Sequence, residues 1–436
     1  MNLNKYLKRS AIATLLIQVL QTSMVLGTSI LMARVGGEHD FGVYSLVFTW
    51  INILSIFAVG GFDDLLTREL PPLHDRQDYP KIKETLIWIS KGTLLVNVLL
   101  LSLFAIVVNF TPWFGLNTYA WYFNVALLSV PMFVLMHTAQ AAMRGLHESG
   151  RGQTAEKIIK PLVILLALLL FYALGWILND ALFTLVSVLS FAVAAAVSCW
   201  ILFRFLKQLS AASANIQPSE ISVLHKHTWP KACLYFAFLG LLQALATRTD
   251  ILFLGNFYPA KPELVGYYNV ALKFAEFTLI PFVMMNTISA PLFAQLHAEG
   301  RHEELQAVYT RTTRWQFILT IPAVGFFFLF GPYVTNWLYG AAFTEGTTAL
   351  YILCAGQLFY AFFGPAGYLL MMTGYERQTA ICLSISLAIA VGVHIWLIPL
   401  YGMTGAAIGT VAGYVVYKAA LTWTAYKKLG LKVGSL

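Results

Sequence analysis

The sequence predicts an all-α polytopic membrane protein, with about twelve transmembrane helices in two like-oriented six-helix lobes around a central cavity. Three observations lead there. The first is composition: of 436 residues, 58% are hydrophobic and only 11% are charged, far from the balance of a soluble domain of this length. The second is a series of apolar segments close to the ~20 residues a helix needs to cross the hydrocarbon layer. Twelve occur, at 11–33, 41–61, 86–110, 121–143, 158–178, 181–203, 232–254, 265–290, 316–338, 347–373, 378–400 and 403–425. The third is internal repetition. FGVYSL from Phe41 is echoed by VGYYNV from Val265, PPLHDRQ from Pro71 by AQLHAEG from Ala294, and GQTA from Gly152 by RQTA from Arg377, at offsets of 224, 223 and 225 residues. Six spans separate the equivalents. An even number keeps both lobes, 1–210 and 211–436, in the same orientation about an axis along the membrane normal.

The loops fix the topology, because Lys and Arg are retained on the cytoplasmic side. With the N-terminus inside, Lys5, Lys8, Arg9, Arg68, Arg76, Arg144, Arg151, Lys157, Lys160, Arg301, Arg311, Arg314 and Lys427 all fall inside, whereas the outer loops carry only Arg34 and Lys261. Both termini are then cytoplasmic. The net charge of +8 is topological and implies no nucleic-acid partner. Trp88, Trp121, Trp176, Trp200, Trp229, Trp315, Trp337 and Trp423 sit near span ends, where an amphipathic ring suits the headgroup layer. The first span is too long for a signal peptide and lacks a small-residue cleavage site, so it is expected to be retained. Cys199, Cys233, Cys354 and Cys382 lie in spans without paired spacing, which points to apolar filling rather than disulfides or metal ligation.

Two like-oriented lobes imply rocking around a cavity at their interface, and the residues that would line it come mainly from the second half. In ATRTDILFLG, residues 246–255, Arg248 and Asp250 interrupt an apolar run. Gln243, Thr247 and Asp250 share one helix face by their i, i+4, i+7 spacing, as do Asn269, Lys273 and Glu276 on the next span. At ~1.5 Å of rise per residue, Arg248 lies about 9 Å and Lys273 about 12 Å below the outer surface. Charges at that depth are costly unless they pair or face water. Arg248 and Asp250 point about 160° apart on a helix and need partners elsewhere, while Lys273 and Glu276 are placed to pair locally. Either a cavity lining or a purely structural salt-bridge network satisfies this pattern. The first half is expected to offer neutral groups, Gln18 and Asn52 among them, with His137 and Gln140 on the fourth span as further polar candidates able to contact a solute or carry a proton. His394 reads as a packing histidine. Lys418, near a cytoplasmic end, is expected to snorkel to the headgroups.

Several segments together resemble a known family. LMARVGGEHDFGVYSL, GGFDDLLTREL, TDILFLGNFYPAKPELVGYYNVALKFAE, APLFAQLHAEGR and IPLYGMTGAAIGTVAGY, in that order, look like the recurrent segments of the polysaccharide transporter family, within the multidrug/oligosaccharidyl-lipid/polysaccharide exporter superfamily. The resemblance implies a flippase in the bacterial inner membrane that moves undecaprenyl-pyrophosphate-linked oligosaccharide, for O-antigen, capsule or exopolysaccharide, between leaflets by alternating access. It also implies cationic cavity residues, a role that Arg248 and Lys273 fit. Arg and Lys neutralise phosphate, Arg bidentately, and amides and hydroxyls can hydrogen-bond sugars.

No GxxxxGK[ST] phosphate loop is present, so an ion gradient is the expected energy source. H+ or Na+ would be carried at Asp250 or Glu276, and no bound cofactor or metal is expected. The implied partners are the lipid-linked oligosaccharide, membrane lipids and other polysaccharide assembly proteins. Two alternatives share the hydropathy: a drug/cation antiporter of the same superfamily, which would favour an anionic cavity, and a membrane polysaccharide polymerase or ligase, which would need a larger outer loop than any here.

Overall fold

The computed structural model describes residues 3–110, 118–212 and 229–431. All regular structure among them is helical. The first two expected spans lie in α1 (Leu3–Val59), divided at Gly37, whose φ of 81° breaks the helix in a region open to glycine. The short helix α2 (Phe62–Asp75) buries Leu65, Leu66, Leu70 and Leu73 on one side. It leads to α3 (Tyr79–Phe110), the third span. The fourth is shared by α4 (Ala120–Leu127) and α5 (Ser129–Gly145). In the fifth, α6 (Ser149–Thr154) passes through a π-helical turn (Ala155–Ile159) into α7 (Lys160–Ala173). The sixth and seventh are α8 (Asp180–Ala212) and α9 (Trp229–Phe257).

Two of the remaining spans are broken. The eighth is α10 (Glu263–Phe277) followed by α11 (Ile280–Ala298), bent by 45°, and the tenth is α13 (Thr347–Phe362) followed by α14 (Ala366–Met372), bent by 44°. Between them, α12 (His302–Leu338) carries a polar N-terminal extension and the ninth span. The chain ends in α15 (Glu376–Tyr401) and α16 (Met403–Leu429).

By length and apolar composition, seven helices can cross a membrane, or nine if each bent pair counts once. The difference from twelve has local causes. Gly37 divides one counted helix into two expected spans, the π-turn divides the fifth, and α16 is diluted by glycine, alanine and threonine. The exposed leucines and valines of α3, Leu94, Leu95, Val98, Leu99 and Leu103 among them, are matched to lipid rather than water.

The chain divides into two compact units. The N-terminal unit comprises Met1–Asp40 with Val47–Ala244, and the C-terminal unit comprises Phe41–Leu46 with Leu245–Leu436. In the N-terminal unit, Phe62, Leu66 and Leu70 of α2 pack with Ile89 of α3, Ala142 of α5, and Trp229 and Cys233 of α9. In the C-terminal unit, Phe293, Tyr309, Leu369, Cys382 and Leu421 form the corresponding cluster. The four cysteines are free.

The tightest hairpin joins α15 to α16, and small residues make it possible. A Cβ at Gly405 would strike the Leu397 carbonyl, and one at Gly409 the His394 ring, so a Gly-xxx-Gly face lets the helices approach. Gly405→Ala is expected to destabilise the protein by about 1–3 kcal/mol, since the obstructing atom is backbone. Gly392→Ala, where nothing lies within 4 Å, should be neutral. Thermal unfolding of the two variants in one detergent checks this.

Candidate functional site

In the C-terminal unit, Arg248 and Asp250 leave α9 in different directions and find different partners. The Arg248 Nη2 lies 3.6 Å from Glu276 Oε1 on α10, with side chains 36% and 48% exposed. Asp250 is 2% exposed and has hydroxyls around it instead of a cation. Its Oδ2 accepts hydrogen bonds from Tyr268 Oη at 2.7 Å and Thr410 Oγ1 at 3.0 Å, and its Oδ1 accepts from the Ile251 amide at 2.8 Å. Three donors stabilise a buried carboxylate in place of a counter-ion. Tyr268 and Thr410 were missed by sequence reasoning, because a hydroxyl turned toward a carboxylate on another helix has no signature in one dimension.

Glu276 is paired across the helices with Arg248. Lys273 Nζ lies 5.4 Å from the Phe41 ring centroid, within cation–π range. Asn269 Nδ2 donates to Ser45 Oγ at 2.9 Å, joining the equivalent positions of the two repeats. Gln243 and Thr247 are exposed along α9. Asn52 donates to the Phe48 carbonyl one turn back, and the side chain of Gln18 lies outside the described residues.

The first half also holds charged side chains, beyond the neutral groups of its first two spans. On α5 of the N-terminal unit, Phe133, His137, Gln140 and Arg144 share one face. The Glu156 carboxylate approaches that face from the π-turn, accepting a hydrogen bond from Gln140 Nε2 at 2.8 Å and lying 3.7 Å from His137 Nε2. The His137 ring stacks on Phe133 at 4.0 Å. Lys160 Nζ sits 4.0 Å from the Phe191 ring centroid on α8, and Arg144 is 4.0 Å from Asp63 on α2. Glu156 lies two residues before the apolar segment 158–178, in a helix that has already begun at Ser149. A π-turn, which shifts side-chain register by one residue and often marks a functional position, is invisible to hydropathy.

Lys418 does not snorkel. It is 1% exposed, donates to the Gly364 carbonyl at 2.6 Å, and faces the rings of Tyr360 and Phe282 at 3.6 and 4.8 Å. Gly364 (φ 63°) is where the tenth span breaks, and the adjoining Phe363 carbonyl accepts from Tyr309 Oη at 2.6 Å. Carbonyls freed by a break inside a membrane need such partners. His394 is also interior, its Nε2 3.2 Å from the Ala406 carbonyl.

Two all-helical units, each holding charged and hydrogen-bonding side chains among long apolar helices, define a polytopic membrane protein. The chain belongs to the Polysaccharide biosynthesis protein family, which it matches over residues 7–297. Among solved structures, an inward-facing multidrug resistance MATE transporter of the MOP superfamily superimposes with a TM-score of 0.76 at 16% identity, covering 96% of this chain and 98% of that one. The lipid II flippase MurJ, in an inward closed conformation, gives 0.68 at 15% identity, covering 95% and 86%. A MOP superfamily transporter from Pyrococcus furiosus, described as having a binding pocket of reversed polarity, gives 0.65 at 18% identity, covering 96% and 95%. At these identities the likeness is one of fold. No curated protein matches the sequence.

Lys418 provides a test of the interior geometry. Lys418→Ala removes the donor to Gly364 and empties the space between two rings, a loss of about 2–4 kcal/mol. Lys418→Met refills that space and should recover part of the loss, as read from thermal unfolding in lipid nanodiscs.

Proposed function

We propose that the protein is a flippase for undecaprenyl-pyrophosphate-linked oligosaccharide, acting in the bacterial inner membrane with both termini in the cytoplasm. Arg248 and Lys273 bind the pyrophosphate, and alternating access turns them toward one leaflet and then the other. The observation that carries this reading is the family membership of a chain that holds two cations at membrane depth on neighbouring helices, one of them only partly engaged by Glu276 at 3.6 Å. An arriving phosphate offers Arg248 a bidentate, charge-assisted partner and can displace that long contact. Asn269, Gln243 and Thr247 supply groups suited to sugar hydroxyls. The polyprenyl tail never has to leave lipid. The repeat unit of O-antigen, capsule or exopolysaccharide is the cargo class, and other polysaccharide assembly proteins are its partners.

The energy source is an ion gradient, H+ or Na+, with Asp250 as its carboxylate. Glu276 is engaged by Arg248, whereas Asp250 has only neutral donors. A proton would neutralise it, and a sodium ion would be bound by its oxygens with those of Tyr268 and Thr410.

The drug/cation antiporter remains the second reading because of the MATE-like fold. It requires that removing the two cations spare transport.

In the host, Arg248→Gln combined with Lys273→Gln is expected to lower surface polysaccharide at least tenfold at unchanged protein level, about 1.4 kcal/mol or more of lost head-group recognition. Undiminished polysaccharide from a stably expressed double variant would remove both residues from substrate binding.

A further inference from the structure

The polar group on α5 and the π-turn contains a carboxylate with one donor in place and a histidine beside it that is too far away to be a second. Glu156 Oε2 accepts from Gln140 Nε2 at 2.8 Å, whereas His137 Nε2 stands 3.7 Å from Oε1, outside hydrogen-bond range. Among the described residues neither His137 Nε2 nor Gln140 Oε1 has a hydrogen-bond partner, although both are buried atoms and Gln140 is only 2% exposed. Exchanging the amide's oxygen and nitrogen would not help Gln140, since its oxygen would then face the carboxylate. A ring nitrogen without a partner beside a carboxylate oxygen leaves the His137–Glu156 pair open.

One proton completes it. Added to His137 Nε2, it makes the ring a charge-assisted donor to Glu156 and draws the pair toward about 2.8 Å. The pair's charge then changes from minus one to zero. The ring is held for this by its stack on Phe133. The charged groups facing the pair are Asp63 from α2, Arg144 on α5, and Lys157 and Lys160 from the π-turn and α7. From α8 comes the aromatic ring of Phe191, over which Lys160 lies. Together with Glu156 these sum to plus one, and a proton on His137 raises the total to plus two.

We propose that His137 and Glu156, set by Gln140, form a proton-binding site of the N-terminal unit, separate from Asp250. The proton comes from solvent water and resides on Nε2, shared with the carboxylate. Glu156 lies in the π-turn, and closing or opening the pair pulls on the segment where the fifth helix departs from α-helical register. Proton occupancy is thereby linked to the setting of α7. The site does not depend on the lipid-linked substrate, and its test is independent of flipping.

The test is a pH titration of the full-length protein, labelled with 15N at histidine, in nanodiscs between about pH 5 and pH 8. One ring resonance should vanish in His137→Gln and shift in Phe133→Leu, which assigns it even if the first variant fails to fold. That resonance is expected to titrate, with its midpoint lowered by about one unit in Glu156→Gln, which removes the anion that stabilises the protonated ring. Lys160→Gln should raise the midpoint, giving a second reading of opposite sign should Glu156→Gln not fold. A His137 resonance that does not titrate in this range, or a midpoint indifferent to both substitutions, overturns the proposal.

Discussion

A bilayer interior offers no water to a charge or to a free backbone carbonyl, and this constraint organises both units. Each polar atom at membrane depth must be answered by another. The answers differ in kind: a salt bridge for Arg248, hydroxyls and an amide for Asp250, and a carbonyl with two rings for Lys418. The first is half-exposed and long, and a ligand can rearrange it. The last is wholly interior and is tied to the break at Gly364, so it belongs to the framework.

That contrast separates function from scaffold. Helix breaks are tolerated only where their freed groups find partners, and Tyr309 and Lys418 are those partners for the tenth span. The close α15–α16 hairpin holds Thr410 beside Asp250 and so fixes the surroundings of the buried carboxylate. Arg248, Glu276 and Lys273 lie on α9 and α10, where one ion pair and one ring contact leave more freedom. In the N-terminal unit, Glu156 plays the corresponding part, a carboxylate only partly answered, at a turn that is not α-helical.

Much of the fold was legible because hydropathy acts residue by residue. The apolar segments coincide with helices. What escaped depends on distance across the chain. Helical spacing points from Glu276 to Lys273 on the same helix and says nothing of Arg248, which a neighbouring helix brings to 3.6 Å. Lys418 was assigned by its distance from a span end, which says nothing about whether a side chain turns toward lipid or protein. Glu156 lay outside the apolar window although the helix carrying it had already begun. Hydropathy marks where lipid is, whereas helices extend until their caps.

The central claim is movement of a lipid-linked, pyrophosphate-bearing oligosaccharide between leaflets. It is tested most directly with purified protein in phosphatidylethanolamine–phosphatidylglycerol vesicles containing a labelled undecaprenyl-pyrophosphate oligosaccharide, following how fast the label becomes accessible to an impermeant enzyme outside. Accelerated exposure relative to protein-free vesicles, lost when Arg248 and Lys273 are both neutralised, is the expected result. Exposure no faster than in protein-free vesicles, with a cationic dye transported by the same preparation, would contradict the claim and establish the antiporter reading instead.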